Sequence, residues 1–187
     1  MIDLVSAFRA VVDALESVEI DYLVVGSMAA AAWGVARTTR DVDLVALMSA
    51  GDVQHLLGRL DADSFYVPAD DAVRAGQDGG SFNVLHTTSG GKVDVFVARQ
   101  DDEFTRSRME RKVRSEVLGV QAWIATPEDV VLAKLRWRLE SRSEVQWRDC
   151  TEIAATQELD ELYLRRWAPV LGIADDLDEL IGRPWRV

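Results

Sequence analysis

The sequence has little of the chemistry that marks secreted or membrane proteins. It contains a single cysteine, Cys150, which excludes an internal disulfide and is typical of a reducing compartment. No basic start is followed by the apolar segment of a signal peptide, and no apolar run approaches the roughly 18 residues that a membrane span needs. We therefore expect a cytoplasmic protein without membrane contacts.

Positive charge is also scarce, since 32 acidic residues outnumber 21 basic ones and give a net charge of -11. Nucleic-acid binders usually present a basic surface, because phosphate contacts dominate their affinity. The basic residues form two clusters, the first being Arg106, Arg108, Arg111, Lys112 and Arg114, and the second Lys134, Arg136, Arg138, Arg142 and Arg148. Each cluster fits a groove for a triphosphate or an RNA, and equally a solvated helix face with interleaved glutamates.

Residues 24–47, VVGSMAAAAWGVARTTRDVDLVAL, carry the most informative pattern in the chain. An apolar run ends at Gly26, and a second apolar run carries Asp41 and Asp43 in alternation. Side-chain direction repeats every second residue of a strand, so both carboxylates share one face. Two like charges repel unless a cation lies between them, and Mg²⁺ is a hard ion that binds carboxylates and phosphate oxygens. The pattern predicts a divalent-cation site.

Two further features complete the predicted site. Gly26 lets a backbone approach a phosphate closely, and backbone N–H groups with the Ser27 hydroxyl can bind anionic oxygens. Asp94 lies in a second alternating run, KVDVFV at 92–97, which is the second strand of a predicted hairpin of residues 82–87 and 92–98. Three acids on neighbouring strands can hold two metal ions and orient a hydroxyl for in-line displacement.

The order Gly26-Ser27, thirteen residues, Asp41-Val42-Asp43 and a later strand with Asp94 resembles the signature of the polymerase-β-type nucleotidyltransferase superfamily. The preceding R-T-T-R at 37–40 is similar to the R-x-T-x-D-x-D form of AbiEii-like toxin nucleotidyltransferases and small antibiotic-modifying nucleotidyltransferases. The resemblance implies a sheet in which the Asp94 strand lies beside the Asp41 strand. It implies Mg²⁺ or Mn²⁺ as cofactor and a nucleoside triphosphate as substrate. It also implies a nucleotide-binding role for Arg40 and, for the toxin-like enzymes, a cognate antitoxin.

The last third of the chain is helical in character. T-P-E-D at 126–129 combines an N-cap residue, a proline in the first turn and acids near the positive helix end. Lys134 follows one turn later, and the resemblance implies that it contacts the triphosphate. Asp149, in R-D-C-T-E at 148–152, corresponds to a further nucleotide-site residue, although that motif matches only in part.

We predict a mixed α/β (α+β) fold from these patterns. A nucleotidyltransferase core with a mixed, twisted sheet flanked by helices spans residues 1–125, and a helical C-terminal region spans 126–187. Within the core, we predict a loop at 76–80, a polar segment at 99–114 and one interrupted strand at 117–124.

The predicted activity is the metal-dependent transfer of a nucleoside monophosphate to a hydroxyl acceptor, with release of pyrophosphate. An RNA end, a small hydroxylated compound of antibiotic type and a protein hydroxyl are all compatible with the sequence as acceptors. The alternative from another class is a non-catalytic nucleotide-binding module in a toxin–antitoxin complex.

Overall fold

The computed structural model describes residues 4–36 and 39–182, which contain nine helices and one seven-stranded sheet. The helices are α1 (Leu4–Ser17), α2 (Gly26–Ala32), α3 (Ala50–Leu57), α4 (Ala69–Asp78), α5 (Glu103–Arg111), α6 (Pro127–Ser141), α7 (Glu144–Thr156), α8 (Glu161–Leu171) and α9 (Ala174–Ile181). The strands are β1 (Tyr22–Val24), β2 (Asp41–Leu47), β3 (Phe65–Tyr66), β4 (Gly80–His86), β5 (Lys92–Ala98), β6 (Val113–Val117) and β7 (Val120–Ile124). None of the described helices is long and apolar enough to cross a membrane.

The sheet is mixed, as predicted, and has the order β3-β4-β5-β2-β1-β7-β6. The pairs β2·β5 and β1·β7 are parallel, and the other neighbouring pairs are antiparallel. Alternate residues of β2 and β5, among them Val42, Leu44, Val93 and Val95, are fully buried. Helix α1 packs against β4 and β5. Because side chains alternate along a strand, the intervening positions of β2 and β5 lie on the opposite face.

The chain divides into two compact units. The first unit comprises residues 4–28 and 39–125 and contains all seven strands with α1, α3, α4 and α5. The second comprises residues 29–36 and 126–182 and contains α6 to α9. The predicted division at residue 125 into a catalytic core and a helical C-terminal region stays a prediction.

The predicted helix start at 126–129 is confirmed, and its acids have specific partners. Thr126 is the N-cap of α6, and its hydroxyl donates to the Asp129 Oδ2 atom at 3.0 Å. The Tyr163 hydroxyl of α8 donates to Asp129 Oδ1 at 2.7 Å, and the Asp160 backbone N–H donates to Glu128 Oε1 at 3.0 Å. These hydrogen bonds join the start of α6 to α8 inside the second unit.

Two local predictions in the first unit are wrong, and one helix was not predicted. The expected interrupted strand at 117–124 is a hairpin, because Leu118 (φ 53°) and Gly119 (φ 73°) form a left-handed turn between β6 and β7. Most of the expected loop at 76–80 belongs to α4, which continues to Asp78. The polar segment at 99–114 contains α5, which begins after the N-cap Asp102.

From the packing around Cys150 in the second unit we predict the reactivity of its thiol. This thiol is fully buried, with its Sγ atom 3.8 Å from the Val131 carbonyl oxygen, and burial raises the pKa of Cys150 to about 12. Only the thiolate reacts with Ellman's reagent, so we expect the native protein to react more than about 100-fold slower than the urea-unfolded protein. Release of thionitrobenzoate measures both rates. Equal rates would contradict this packing.

Candidate active site

The three predicted acids lie on one face of adjoining strands. The parallel register of β2 and β5 places Asp43 directly opposite Asp94, and Asp41 directly opposite Lys92. All four side chains are half-buried, and paired positions in a sheet project to the same side. The predicted adjacency of the Asp94 strand to the Asp41 strand is therefore confirmed. The catalytic and metal-binding roles of the acids stay predictions.

Asp41, Asp43 and Asp94 form an acidic patch. Lys92 lies among these acids, although its sequence position was not predicted to belong to the site. Its Nζ atom lies 2.7 Å from Asp94 Oδ2 and 3.7 Å from Asp41 Oδ2. The hydrogen bond that Lys92 donates to Asp94, together with the nearby charges of Asp94, Asp41 and Asp43, raises the pKa of Lys92 above its ordinary value. Its ammonium therefore carries a full positive charge at neutral pH. The spacing K-V-D was the available signal, because it puts Lys92 and Asp94 on the same face.

Gly26 is in contact with the same patch. Its φ of +62° lies in the left-handed region, and a Cβ atom there would lie 2.2 Å from Asp43 Oδ2. The Val25 N–H donates to the Asp43 carbonyl oxygen at 2.9 Å, which fixes the end of the β1 segment beside β2. Gly26 and Ser27 are the first residues of α2. A side chain at position 26 is thus incompatible with the observed Asp43 position.

The segment that precedes Asp41 is described in part. The Thr39 hydroxyl donates to Asp41 Oδ1 at 2.7 Å and orients that carboxylate. Arg40 is exposed, and its predicted contact with nucleotide stays a prediction. Arg37 and Thr38, which belong to the motif that suggested the resemblance, lie outside the described residues.

The donor chemistry of the patch fits a hard divalent cation. Carboxylate oxygens are the preferred ligands of Mg²⁺ and Mn²⁺, and Asp41, Asp43 and Asp94 present theirs on one face. Among the described residues, however, no group of three or more His, Cys, Asp or Glu side chains is arranged as a metal site. In the observed arrangement the Lys92 ammonium joins Asp94 to Asp41.

Lys134 and Asp149, the other predicted nucleotide ligands, contact each other. Both belong to the second unit, and Lys134 Nζ lies 2.8 Å from Asp149 Oδ2 and 3.0 Å from Gln146 Oε1. The side chains of Lys134 and Asp149 are 6% and 0% exposed. The pair links α6 to α7. Their nucleotide-binding role stays a prediction.

Solved structures share this architecture, although no protein-family model and no curated protein matches the sequence. The antibiotic-resistance factor ANT(2'')-Ia matches 94% of this chain with 96% of its own, at a TM-score of 0.62 and 12% identity. An antigenic nucleotidyltransferase-like protein from Paracoccidioides brasiliensis matches 99% of this chain with 95% of its own, at 0.58 and 17%. The lincosamide antibiotic adenylyltransferase LnuA, bound to lincomycin, matches 81% of this chain with 97% of its own, at 0.51 and 12%.

The chain shares the fold of these three proteins, which include a nucleotidyltransferase-like protein and an antibiotic adenylyltransferase. The predicted fold class is thereby confirmed. Because the identities do not exceed 17% in these three comparisons, the likeness concerns the fold and not the substrates.

The contact between Gly26 and Asp43 in this nucleotidyltransferase fold is testable with a matched pair of variants. Gly26 and Gly90 have φ values of +62° and +72°, but only at Gly26 does an added Cβ meet other atoms within 4 Å. We expect Gly26→Ala and Gly90→Ala each to lose about 1–2 kcal/mol of unfolding free energy, since alanine is strained in the left-handed region. Urea denaturation measures this loss.

Only Gly26→Ala also displaces the Asp43 carboxylate. We therefore expect Gly26→Ala alone to weaken metal-dependent nucleotide binding, as measured by calorimetry. Equal nucleotide binding by Gly26→Ala and Gly90→Ala would show that the Asp43 position does not matter for the site.

We predict that breaking the buried Lys134–Asp149 pair destabilises the protein. Lys134→Met leaves the Asp149 carboxylate buried without its ammonium partner, which we expect to reduce the unfolding free energy by about 3–5 kcal/mol. The control is Arg74→Met, because the Arg74–Asp71 pair is 68% and 62% exposed and an exposed pair contributes less than about 1 kcal/mol. Chemical denaturation compares the two. Similar losses in both variants would contradict a stabilising role of the buried pair.

Proposed function

We propose that the protein is a metal-dependent nucleotidyltransferase, which transfers a nucleoside monophosphate from a nucleoside triphosphate to a hydroxyl acceptor and releases pyrophosphate. The observation that carries this proposal is the acidic patch on adjoining strands of a nucleotidyltransferase fold, where Asp43 lies opposite Asp94 and against Gly26. A cluster of like charges on an accessible sheet face has no evident role in stabilising the fold, because mutual repulsion destabilises it.

Asp41 and Asp43 are the residues that would hold Mg²⁺ or Mn²⁺, with Asp94 as a ligand at a second position. A bound divalent ion neutralises triphosphate charge and makes an acceptor hydroxyl easier to deprotonate. Thr39 holds Asp41 Oδ1 through its hydroxyl, and Gly26 packs on Asp43, so the carboxylates of β2 are oriented before any ligand arrives. Such preorganisation lowers the cost of assembling a reactive complex.

The chain's own groups then perform the transfer. The Ser27 hydroxyl and backbone N–H donate to phosphate oxygens, and the exposed Arg40 guanidinium offers further charge to the triphosphate. The acceptor oxygen forms a bond to the α-phosphorus while its proton passes to the Asp94 carboxylate. The bond from the α-phosphorus to the bridging oxygen breaks, and pyrophosphate leaves with that oxygen. Lys134 and Asp149 are proposed nucleotide-binding residues on the resemblance alone.

The charge distribution favours a small hydroxylated acceptor over RNA. Many members of the two basic clusters are paired with acids within their own unit, and these pairs are Lys112–Asp21, Arg114–Glu16, Lys134–Asp149, Arg138–Asp176 and Arg148–Glu152. A net charge of -11 attracts cationic compounds and repels polyanions. Acceptors of antibiotic type, such as the lincomycin bound to LnuA, have the required hydroxyl groups.

RNA ends, as used by toxin-like enzymes with a cognate antitoxin, are the second candidate acceptors. The sequence motif at 37–40 resembles that of toxin-like enzymes as well as that of antibiotic-modifying enzymes, so it is compatible with both classes of acceptor. Transfer of label from an α-phosphate-labelled triphosphate decides between aminoglycoside or lincosamide compounds, tRNA and protein. We expect labelling of a small compound, and tRNA labelling that falls steeply with added salt would favour the RNA candidate instead.

The metal-dependent step is testable without knowing the acceptor. We expect calorimetric titration to show binding of at least one of the four ribonucleoside triphosphates in the presence of Mg²⁺. We also expect Asp43→Asn to weaken that binding at least about tenfold, because a full charge next to a divalent cation is lost. Asp70→Asn is the control, since Asp70 is exposed at the start of α4 and outside the acidic patch.

Absence of Mg²⁺-dependent binding by the unaltered protein would refute the proposed function. Binding without pyrophosphate release, with every acceptor class tested, would identify a non-catalytic nucleotide-binding module instead. Circular dichroism melting confirms that each variant is folded at the temperature of the titration.

A further inference from the structure

The strongest unassigned feature of the structure is the place of Lys92 inside the acidic patch. Its ammonium donates to Asp94 Oδ2 at 2.7 Å and lies 3.7 Å from Asp41 Oδ2. The side chain of Asp94 is only 14% exposed, whereas that of Lys92 is 35% exposed. The Asp94 carboxylate is therefore the less exposed partner and the Lys92 ammonium the more exposed one. The Lys92 side chain has room to move away from Asp94 towards solvent.

The location of Lys92 is fixed by strand geometry. Lys92 pairs with Asp41 across the parallel β2·β5 ladder and precedes Asp94 by two residues. Both relations put its side chain on the acidic face. An ammonium in this place reduces the repulsion between neighbouring carboxylates, which would otherwise destabilise the β2·β5 pairing.

The same location makes Lys92 a competitor for other cations. A divalent ion coordinated by Asp94 lies close to the Lys92 ammonium, which donates to Oδ2 of the same carboxylate, and two positive charges at such short range repel each other strongly. Lysine is suited to exchange of this kind, since its ammonium is a point charge on a flexible stem of four carbons.

We propose that Lys92 is a built-in competitor of the divalent cation, whose ammonium has to leave Asp94 before that carboxylate binds metal. Lys92 thereby sets the affinity of the site for the free ion. This inference rests on the proposed function for the identity of the metal site. A triphosphate that arrives with its cation offers the displaced ammonium new anionic partners, so the site fills with the metal–nucleotide complex more readily than with the free ion.

The ordinary alternative is a structural ion pair that has no effect on metal binding. Removal of Lys92 then changes stability and leaves cation affinity as it is. Competition makes a different prediction, because removal of the ammonium both destabilises the metal-free protein and strengthens cation binding.

The experiment uses the full-length protein and two charge-matched variants, Lys92→Gln and Arg99→Gln. Arg99 follows β5 directly and pairs with the exposed Asp101, so its removal changes the net charge equally. It lies seven residues from Lys92 along an extended strand, which corresponds to about 23 Å. A third variant, Lys92→Arg, keeps the positive charge on the acidic face.

The first measurement is Mn²⁺ binding without nucleotide, followed through the electron paramagnetic resonance signal of free Mn²⁺. We expect Lys92→Gln to bind Mn²⁺ at least about tenfold more tightly than the unaltered protein, because a positive charge in contact with the ion is removed. We expect Arg99→Gln and Lys92→Arg to bind as the unaltered protein does.

The second measurement is the melting temperature in EDTA and in Mg²⁺. Lys92→Gln should melt below the unaltered protein in EDTA, and Mg²⁺ should raise its melting temperature by more, since ligand binding to the folded state is linked to stability. A Lys92→Gln/Asp94→Asn double variant should lose the gain in Mn²⁺ affinity, which locates the effect at this carboxylate.

The outcomes separate this inference from the proposed function. If Lys92→Gln binds Mn²⁺ no more tightly than the unaltered protein, the competition is refuted, even where Mg²⁺-dependent nucleotide binding is normal. If Lys92→Gln gains Mn²⁺ affinity but neither protein binds a nucleoside triphosphate, the competition stands and the proposed function fails.

Discussion

The parallel pairing of β2 with β5 is the constraint on which the candidate site depends. Its register places Asp43 directly opposite Asp94. Backbone hydrogen bonds between the strands hold the two residues side by side, and a change of side-chain rotamer cannot undo this pairing. Buried valines and Leu44 on the reverse face hold the strands in this register, because a shift by one residue would turn the apolar side chains out of the core. Core packing on one face therefore keeps like-charged carboxylates close together on the other face. A cation is required there to reduce their repulsion.

Much of the fold could be predicted, because alternation of apolar and polar residues survives in the strands. The β4–β5 hairpin and the β2 strand follow directly from that alternation, and the structure confirms them. Helix α5 was missed because its buried residues include Thr105 and Arg108 as well as Phe104 and Met109, which obscures any apolar periodicity. The β6–β7 turn was missed because Leu118, a bulky residue, adopts a left-handed conformation that sequence rules reserve mainly for glycine.

The residues of the candidate site could be predicted from the sequence. The residues that each of them contacts were harder to predict. Gly26 and the three acids are separated along the chain by spacings that strand geometry converts into one patch, and the Cβ position at Gly26 supplies a physical reason for the glycine. Which charge meets which acid is a tertiary property. Lys134 and Asp149 were both expected to face nucleotide, yet each is the other's buried partner. Sequence spacing indicates where charges lie on an element, and only packing decides whether they face a ligand or each other.

The same distinction explains how an internal ammonium is compatible with a metal site. A single positive charge among three carboxylates leaves the acidic patch negative, so the patch still attracts a divalent cation. The ammonium is held mainly by one hydrogen bond to Asp94, since its distance to Asp41 exceeds ordinary hydrogen-bond length. A divalent ion coordinated by two or three carboxylates replaces one such contact with several stronger ones. In the proposed competition, Lys92 stabilises the strands of the metal-free protein and is displaced most readily by a cation that arrives together with phosphate groups.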